Sequence, residues 1–296
     1  MMIKKFYTTN DIIEICYKIT LDKYKVKRNH IYSLLSGLLD LSTIKFFTKS
    51  NLKISEKMKK RFLKKFVTYL DGKPLSKILG TREFYSNNFF VNSEILDPRP
   101  ESEILIDATI NLIRNKSCKK LNILELGVGS GCIIISLMKE LKKFKLNIHG
   151  VGIDIEDSAL ETAKKNRCRH KFSDDDLQFI KSDWFSKVKG KFNIIISNPP
   201  YISINEMKLL DKSVLIYDPL VALYGGEDGL ECYRKIAKSA LDFLSYEGFI
   251  ILEIGWRQKK LVKEIFQKKN FMYVGCLKDL AHKDRCIIFK KKNMLI

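Results

Sequence analysis

The chain has 296 residues, 45% of them hydrophobic and 30% charged, an ordinary globular balance that can bury a core without metal or disulfide staples. Lysine and arginine outnumber aspartate and glutamate by 54 to 34, and the net charge of +20 fits an anionic partner or a lysine-rich genome equally well, since only ten of the 54 are arginines. No apolar run approaches the roughly 20 residues of a membrane helix, and Asp11 and Glu14 interrupt any signal-peptide core.

In chain order, residues 1–78 predict a small helical domain. NDIIEICYKI (10–19) and HIYSLLSGLLDLS (30–42) suggest two helices. Residues 55–71 place Met58, Phe62, Phe66, Val67 and Leu70 on one face, with Ser55 as cap and Gly72 and Pro74 as stop. Residues 79–97 are aromatic and extended, break at Ser86-Asn87-Asn88, and predict a β-hairpin linker. A helix over 101–116 follows Pro98 and Pro100, with Ile104, Leu105, Ala108, Leu112 and Ile113 inward. It opens a domain running from 98 to 296. There the strands LNILELG, LNIHGVGID, LQFIKSD, FNIIISNPP and EGFIILEIG alternate with amphipathic helices, which predicts right-handed crossovers and a mostly parallel, doubly wound sheet. YVGCLKD and DRCIIFKK, joined by a short polar link, predict a closing hairpin with an antiparallel last strand. Seven dispersed cysteines (Cys16, Cys118, Cys132, Cys168, Cys232, Cys276 and Cys286) and four separated histidines read as reduced thiols in a cytoplasmic protein with no metal site.

The chemistry sits at the strand ends. LNILELG runs into Gly127-Val128-Gly129-Ser130-Gly131, a G-x-G-x-G loop that lets a ligand approach the main chain but lacks the dinucleotide spacing. The next strand ends at Asp154, where a carboxylate can accept both ribose hydroxyls of an adenosine. The third ends in Asp183-Trp184: Asp183 can accept from an adenine amino group, and Trp184 either faces the purine or packs the core. With no phosphate-binding lysine or nest, an adenosine ligand without a phosphate chain is S-adenosyl-L-methionine. The fourth strand ends in Asn198-Pro199-Pro200-Tyr201. The Asn198 side-chain carbonyl and the Pro199 main-chain carbonyl can accept both hydrogens of a planar NH₂ group on whose plane Tyr201 can stack. Such a nitrogen is a poor nucleophile because its lone pair is delocalised. Two acceptors draw it toward tetrahedral geometry and stabilise its developing positive charge, with no histidine or carboxylate base required before transfer.

With these residues in place, the sequence resembles the release-factor glutamine N5-methyltransferases (the PrmC/HemK family) from about residue 74 to 290. The four-residue acceptor motif is shared with adenine- and guanine-amino methyltransferases. More specific to the family are Leu79-Gly80-Thr81-Arg82-Glu83-Phe84-Tyr85, Pro98-Arg99-Pro100-Glu101-Ser102-Glu103, Gly225-Gly226-Glu227-Asp228-Gly229-Leu230 and Leu252-Glu253-Ile254-Gly255. The resemblance implies a Rossmann-like class I S-adenosylmethionine-dependent methyltransferase fold. It puts Gly127 to Gly131, Asp154, Trp184 and Asn198 at the cofactor. Asn198 to Tyr201 would hold the glutamine of the Gly-Gly-Gln loop of peptide chain release factors, and the helical domain would dock that protein. The charge is compatible with work beside ribosomal RNA. The alternatives are a nucleic-acid methyltransferase acting on adenine N6 or guanine N2, and an RNA-binding protein on a vestigial fold. Three positions depart from the family pattern: Ser86 for glycine, Asp97 for an aliphatic residue, and Tyr224 for an acid. Arg99 and Glu101 either line the methionine side of the pocket or start a helix.

Overall fold

The computed structural model describes residues 7–24, 26–41, 46, 51–114 and 120–292. Its contacts divide the chain between Thr81 and Arg82, three residues beyond the boundary expected from sequence. Among the described residues no helix is long and apolar enough to cross a membrane. Six cysteines are free, and Cys118 lies outside the described residues.

The amino-terminal unit contains helices α1 (Thr9–Tyr24), α2 (Arg28–Leu38), α3 (Glu56–Leu70) and α4 (Leu75–Leu79). Strands β1 (Tyr7–Thr8) and β2 (Lys53–Ile54) form a two-residue antiparallel pair. Ile13, Ile31, Leu34, Leu35, Phe62 and Phe66 fill its core. Ser55 caps α3 by accepting from the Met58 N–H at 3.3 Å, which satisfies one of the donors that a helix start leaves unpaired. Phe62 and Phe66 point inward as expected. Val67, one residue and about 100° further round the helix, is 56% exposed instead.

The hairpin β3 (Thr81–Phe84) and β4 (Asn87–Phe90) lies in the second unit except for Thr81. The turn lies at Tyr85-Ser86, both at positive φ (48° and 56°), so it shares Ser86 with the expected Ser86-Asn87-Asn88 break but begins one residue earlier, and Asn87 and Asn88 start β4. Side chains fix it there: the Tyr85 N–H donates to Glu103 Oε1 (2.7 Å), the Tyr85 hydroxyl to Asp107 (2.7 Å), and the Asn87 amide back to the Tyr85 carbonyl (2.6 Å). Ser86, where the family pattern has glycine, occupies a left-handed conformation that glycine adopts more cheaply. Phe84 and Phe89 of the hairpin belong to the core of this unit.

A short 3₁₀ turn (Pro100–Ser102) leads into α5 (Glu103–Ile113). Then come β5 (Lys120–Leu126), α6 (Cys132–Lys142), β6 (Asn147–Asp154), α7 (Asp157–Arg169), β7 (Leu177–Lys181) and β8 (Phe192–Ser197). After two short helices, α8 (Ile204–Met207) and α9 (Lys212–Tyr217), the chain continues through α10 (Glu231–Ser239), β9 (Leu244–Glu253), α11 (Lys259–Gln267), β10 (Phe271–Lys278) and β11 (Asp284–Lys291). The sheet order is β7-β6-β5-β8-β9-β11-β10, parallel except for β11, which runs antiparallel to both neighbours. Strand periodicity separates the two faces. Ile123, Ile194, Ile196 and Ile251 pack on the side of α5, α6 and α7, while Leu124, Leu126, Ile195, Ile250 and Leu252 pack on the side of α10 and α11. Strand order reverses between β5 and β8, and a crevice opens beyond their carboxyl ends.

Candidate active site

Beyond β5 the main chain turns sharply, with Gly127, Gly129 and Gly131 at φ 69°, 52° and 77°. A Cβ at Gly127 or Gly129 would meet nothing within 4 Å, so both glycines present bare backbone to open space. Gly131 sits at the start of α6, and its role is the turn itself. The loop is tied to β6 by the Val128 N–H donating to the Ile153 carbonyl (2.8 Å) and the Gly129 N–H donating to Asp154 Oδ2 (2.9 Å). Asp154 Oδ1 accepts from the Glu156 N–H at 3.1 Å. Burial raises the pKa of Asp154, and the backbone donors pull it back down.

These residues form one wall of a cavity of about 660 Å³. Gly127, Gly129, Asp154, Asp183, Trp184, Asn198 and Pro200 all line it. Trp184 holds a left-handed backbone (φ 46°) because Ser182 Oγ donates to its carbonyl (2.7 Å) and accepts from the Lys187 N–H (3.0 Å). Val128 and Ser130 instead face a recess of about 50 Å³, with Arg99, Ser102, Glu125 and Asn198. Gly127, Gly129 and Asn198 belong to both spaces. Arg99 thus takes the recess, paired with buried Asp218 at 2.6 Å, whereas Glu101 lines neither space. Asp97 sits in the same cluster with its Oδ1 unpaired among the described residues. Its Oδ2 lies 3.7 Å from Arg82, and its N–H donates to Asp218 Oδ1 at 3.3 Å. Tyr224, the third departure, donates to Glu227 at 3.4 Å on the outer lip.

Asn198 and Pro200 reach the cavity, Pro199 is buried, and Tyr201 is half-buried with its hydroxyl turned away toward Glu253 (3.3 Å). Burial, followed by the Glu253 charge, raises the Tyr201 pKa. The Asn198 amide nitrogen donates to Ser102 Oγ (3.0 Å), which donates to Glu253 Oε2 (2.5 Å). Gln258 holds the motif from behind, donating to the carbonyls of Tyr201 (2.9 Å) and Gly229 (3.1 Å). The Gly225–Leu230 segment packs so closely that a Cβ at Gly225 would stand 2.8 Å from the Pro200 carbonyl oxygen. Ser102, Glu253 and Gln258 were not assigned roles from sequence, although the family-like segments around Ser102 and Glu253 already marked their neighbourhoods. Leu220 and Val221 of the cavity rim carried no sequence signal, being an ordinary short apolar run that turns out exposed.

The cavity thus brings bare glycine backbone, the Asp154 carboxylate and Trp184 together, with Trp184 also packed against the core on the α10 and α11 side. Residues 117–293 match the family described as "Methyltransferase domain". A release factor glutamine methyltransferase of Agrobacterium fabrum is 36% identical over 260 residues, which span 87% of this chain and 88% of the relative. A bifunctional methyltransferase of Rickettsia typhi is 40% identical over 263 residues, 83% of this chain but only 50% of that longer protein. A solved methyltransferase from Pyrococcus furiosus shares the fold, with a TM-score of 0.50 at 20% identity over 69% of this chain and 89% of its own. Fold and site define a class I S-adenosylmethionine-dependent methyltransferase, and the chain belongs to the release factor glutamine methyltransferase family.

Proposed function

We propose that this crevice methylates the side-chain nitrogen of the glutamine in the Gly-Gly-Gln loop of peptide chain release factors. The observation that supports it most directly is that Gly127, Gly129, Asp154 and Trp184 share one cavity with Asn198 and Pro200. Gly127, Gly129, Asp154, Asp183 and Trp184 would hold S-adenosyl-L-methionine, with Val128, Ser130 and Arg99 around the neighbouring recess. When bound, that cofactor supplies an electrophilic methyl group on a sulfonium sulfur.

Asn198 Oδ1 and the Pro199 carbonyl accept the two N–H hydrogens of the glutamine amide and hold its nitrogen in line with the methyl group. The nitrogen lone pair would form the new N–C bond as the methyl–sulfur bond breaks and its electron pair returns to sulfur, and the surplus proton leaves to solvent after transfer. The acceptors, already oriented by the fold, stabilise positive charge as it grows on nitrogen. Tyr201 flanks the amide and closes that side to water. Relatives named for glutamine methylation favour this acceptor over adenine N6 or guanine N2.

The two halves of the site are separable by mutation. Asp154→Ala is expected to weaken cofactor binding roughly tenfold to a hundredfold, the equivalent of about 1–3 kcal/mol. Asn198→Ala is expected to spare most cofactor binding and lower turnover by about a hundredfold to a thousandfold. Calorimetry showing unchanged cofactor affinity in the first variant, or near-normal turnover in the second, would remove that residue from its role.

A further inference from the structure

Glu253 ends β9 beneath the acceptor motif, 1% exposed, and both of its carboxylate oxygens are engaged. Oε2 accepts from the Ser102 hydroxyl at 2.5 Å and Oε1 from the Tyr201 hydroxyl at 3.3 Å. Its main-chain carbonyl accepts from the Tyr233 hydroxyl at 2.9 Å. One side chain therefore touches Tyr201 directly and reaches Asn198 through Ser102.

The direction of these bonds matters more than their number. An ionised carboxylate has no proton to give, so Ser102 must spend its single hydrogen on Glu253. What Ser102 then offers Asn198 is a lone pair, and only the NH₂ end of the Asn198 amide can answer it, at 3.0 Å. The two ends of an asparagine amide are almost identical in shape, so packing alone cannot choose between them. The carboxylate makes the choice from two bonds away.

We propose that Glu253 and Ser102 are positioning residues that lock the Asn198 amide with its oxygen toward the incoming substrate, and so make the site select an amide over a carboxylate. The proposal rests on Asn198 being the acceptor. With the amide reversed, an NH₂ group would confront the NH₂ of glutamine and would welcome a glutamate in its place. The groups facing Glu253 are Ser102 and Glu101 from the 3₁₀ turn, Tyr201, Tyr233 from α10, and Arg285 and the buried Cys286 thiol from β11. Burial pushes the Glu253 carboxyl up to about 7, against the pull of Ser102, Arg285 and Tyr201. Below that pH a proton on Glu253 frees the Ser102 hydrogen, and the lock loosens.

The test uses the full chain with Ser102→Ala, Glu253→Gln, Asn198→Ala and the Ser102→Ala/Asn198→Ala pair. Three readouts are needed: turnover on intact release factor, calorimetric affinity for S-adenosylmethionine, and binding of release factor carrying glutamine or glutamate in the loop. Ser102→Ala is expected to lower kcat about tenfold to a hundredfold with KM and cofactor affinity within a few-fold of normal. It should narrow the glutamine-over-glutamate binding preference about tenfold and cost nothing further once Asn198 is alanine. Glu253→Gln keeps size and packing but leaves one acceptor for two hydroxyls. It should lower kcat several-fold and abolish a fall in wild-type kcat below pH 7. Full turnover and selectivity in Ser102→Ala, or losses that add in the double variant, would overturn the relay while Asn198→Ala alone stayed impaired. Should Ser102→Ala fail to fold, a Glu253→Gln enzyme with wild-type turnover and pH profile would overturn it instead. Near-normal turnover in Asn198→Ala would instead overturn the acceptor reading beneath it.

Discussion

Glu253 holds a carboxylate where water scarcely reaches, and that has a consequence for stability as well as for the site. Its ordinary value of 4.5 is raised to about 7 in the folded chain, chiefly by burial. Below pH 4.5 both folded and unfolded chains carry the proton, and the group contributes nothing either way. Between 4.5 and 7 the folded chain holds the proton more tightly than the unfolded one, so stability falls as pH rises through that window and stays lower above it. The difference of about 2.5 pH units corresponds to roughly 3 kcal/mol. Glu253→Gln removes this dependence. Its stability relative to wild type is expected to rise by roughly that amount between pH 4.5 and pH 8, read from urea unfolding at each pH. An advantage of wild type over the variant that grows with pH would contradict the assignment.

At the scale of elements, Asn166 on α7 makes a comparable connection. Fully buried, it accepts from the Phe90 N–H (2.7 Å) and donates to the Phe90 carbonyl (3.0 Å) and to the Ser130 carbonyl (2.8 Å). One helix residue thereby joins the hairpin strand β4 to the glycine loop. Asn166→Ala leaves three backbone groups unpaired, each costing about 1–3 kcal/mol if water cannot replace the bond. The expected outcome is a lowered melting temperature together with several-fold weaker S-adenosylmethionine binding, because the loop loses its support. A variant that melts early yet binds cofactor normally would show that the loop holds its shape without α7.

The elements themselves were largely readable from sequence, because each has a local signature. The five parallel strands, the closing hairpin, the Ser55 cap and the helix α3 follow from periodicity and capping within ten or so residues. What escaped depends on distant partners. Ser102 and Glu253 are 151 residues apart and Arg99 and Asp218 are 119 apart, so no spacing rule joins them. The hairpin turn begins one residue earlier than the Ser86-Asn87-Asn88 break for the same reason: Glu103 and Asp107 on α5 hold Tyr85 in place from outside the hairpin. Tyr201 reads as a stacking ring from sequence, and only the fold shows its hydroxyl committed to Glu253.

On the scale of the whole molecule, the residues proposed to bind cofactor and acceptor fall in the unit from Arg82 onward, and among the described residues none up to Thr81 lines the cavity. A glutamine in a small loop offers few contacts, so we assign to the helical unit, with exposed Lys57, Lys60, Arg61 and Lys64 on α3, a second contact with the release factor. Residues 82–296 alone, once shown to melt cooperatively, should bind S-adenosylmethionine normally. They should methylate release factor with KM raised at least tenfold and turnover largely kept, the pattern of lost ground-state docking. An unchanged KM would dismiss the docking role.

The acceptor proposed for this crevice is a side-chain amide of a release factor. The full chain, incubated with labelled S-adenosylmethionine and a mixture of intact release factor and total nucleic acid, tests this when the products are mapped by mass spectrometry. The expected product is a single methyl group on the glutamine of the Gly-Gly-Gln loop, with no label on a release factor in which that glutamine is glutamate. Label on adenine or guanine in place of that glutamine, or undiminished label on the glutamate variant, would contradict it.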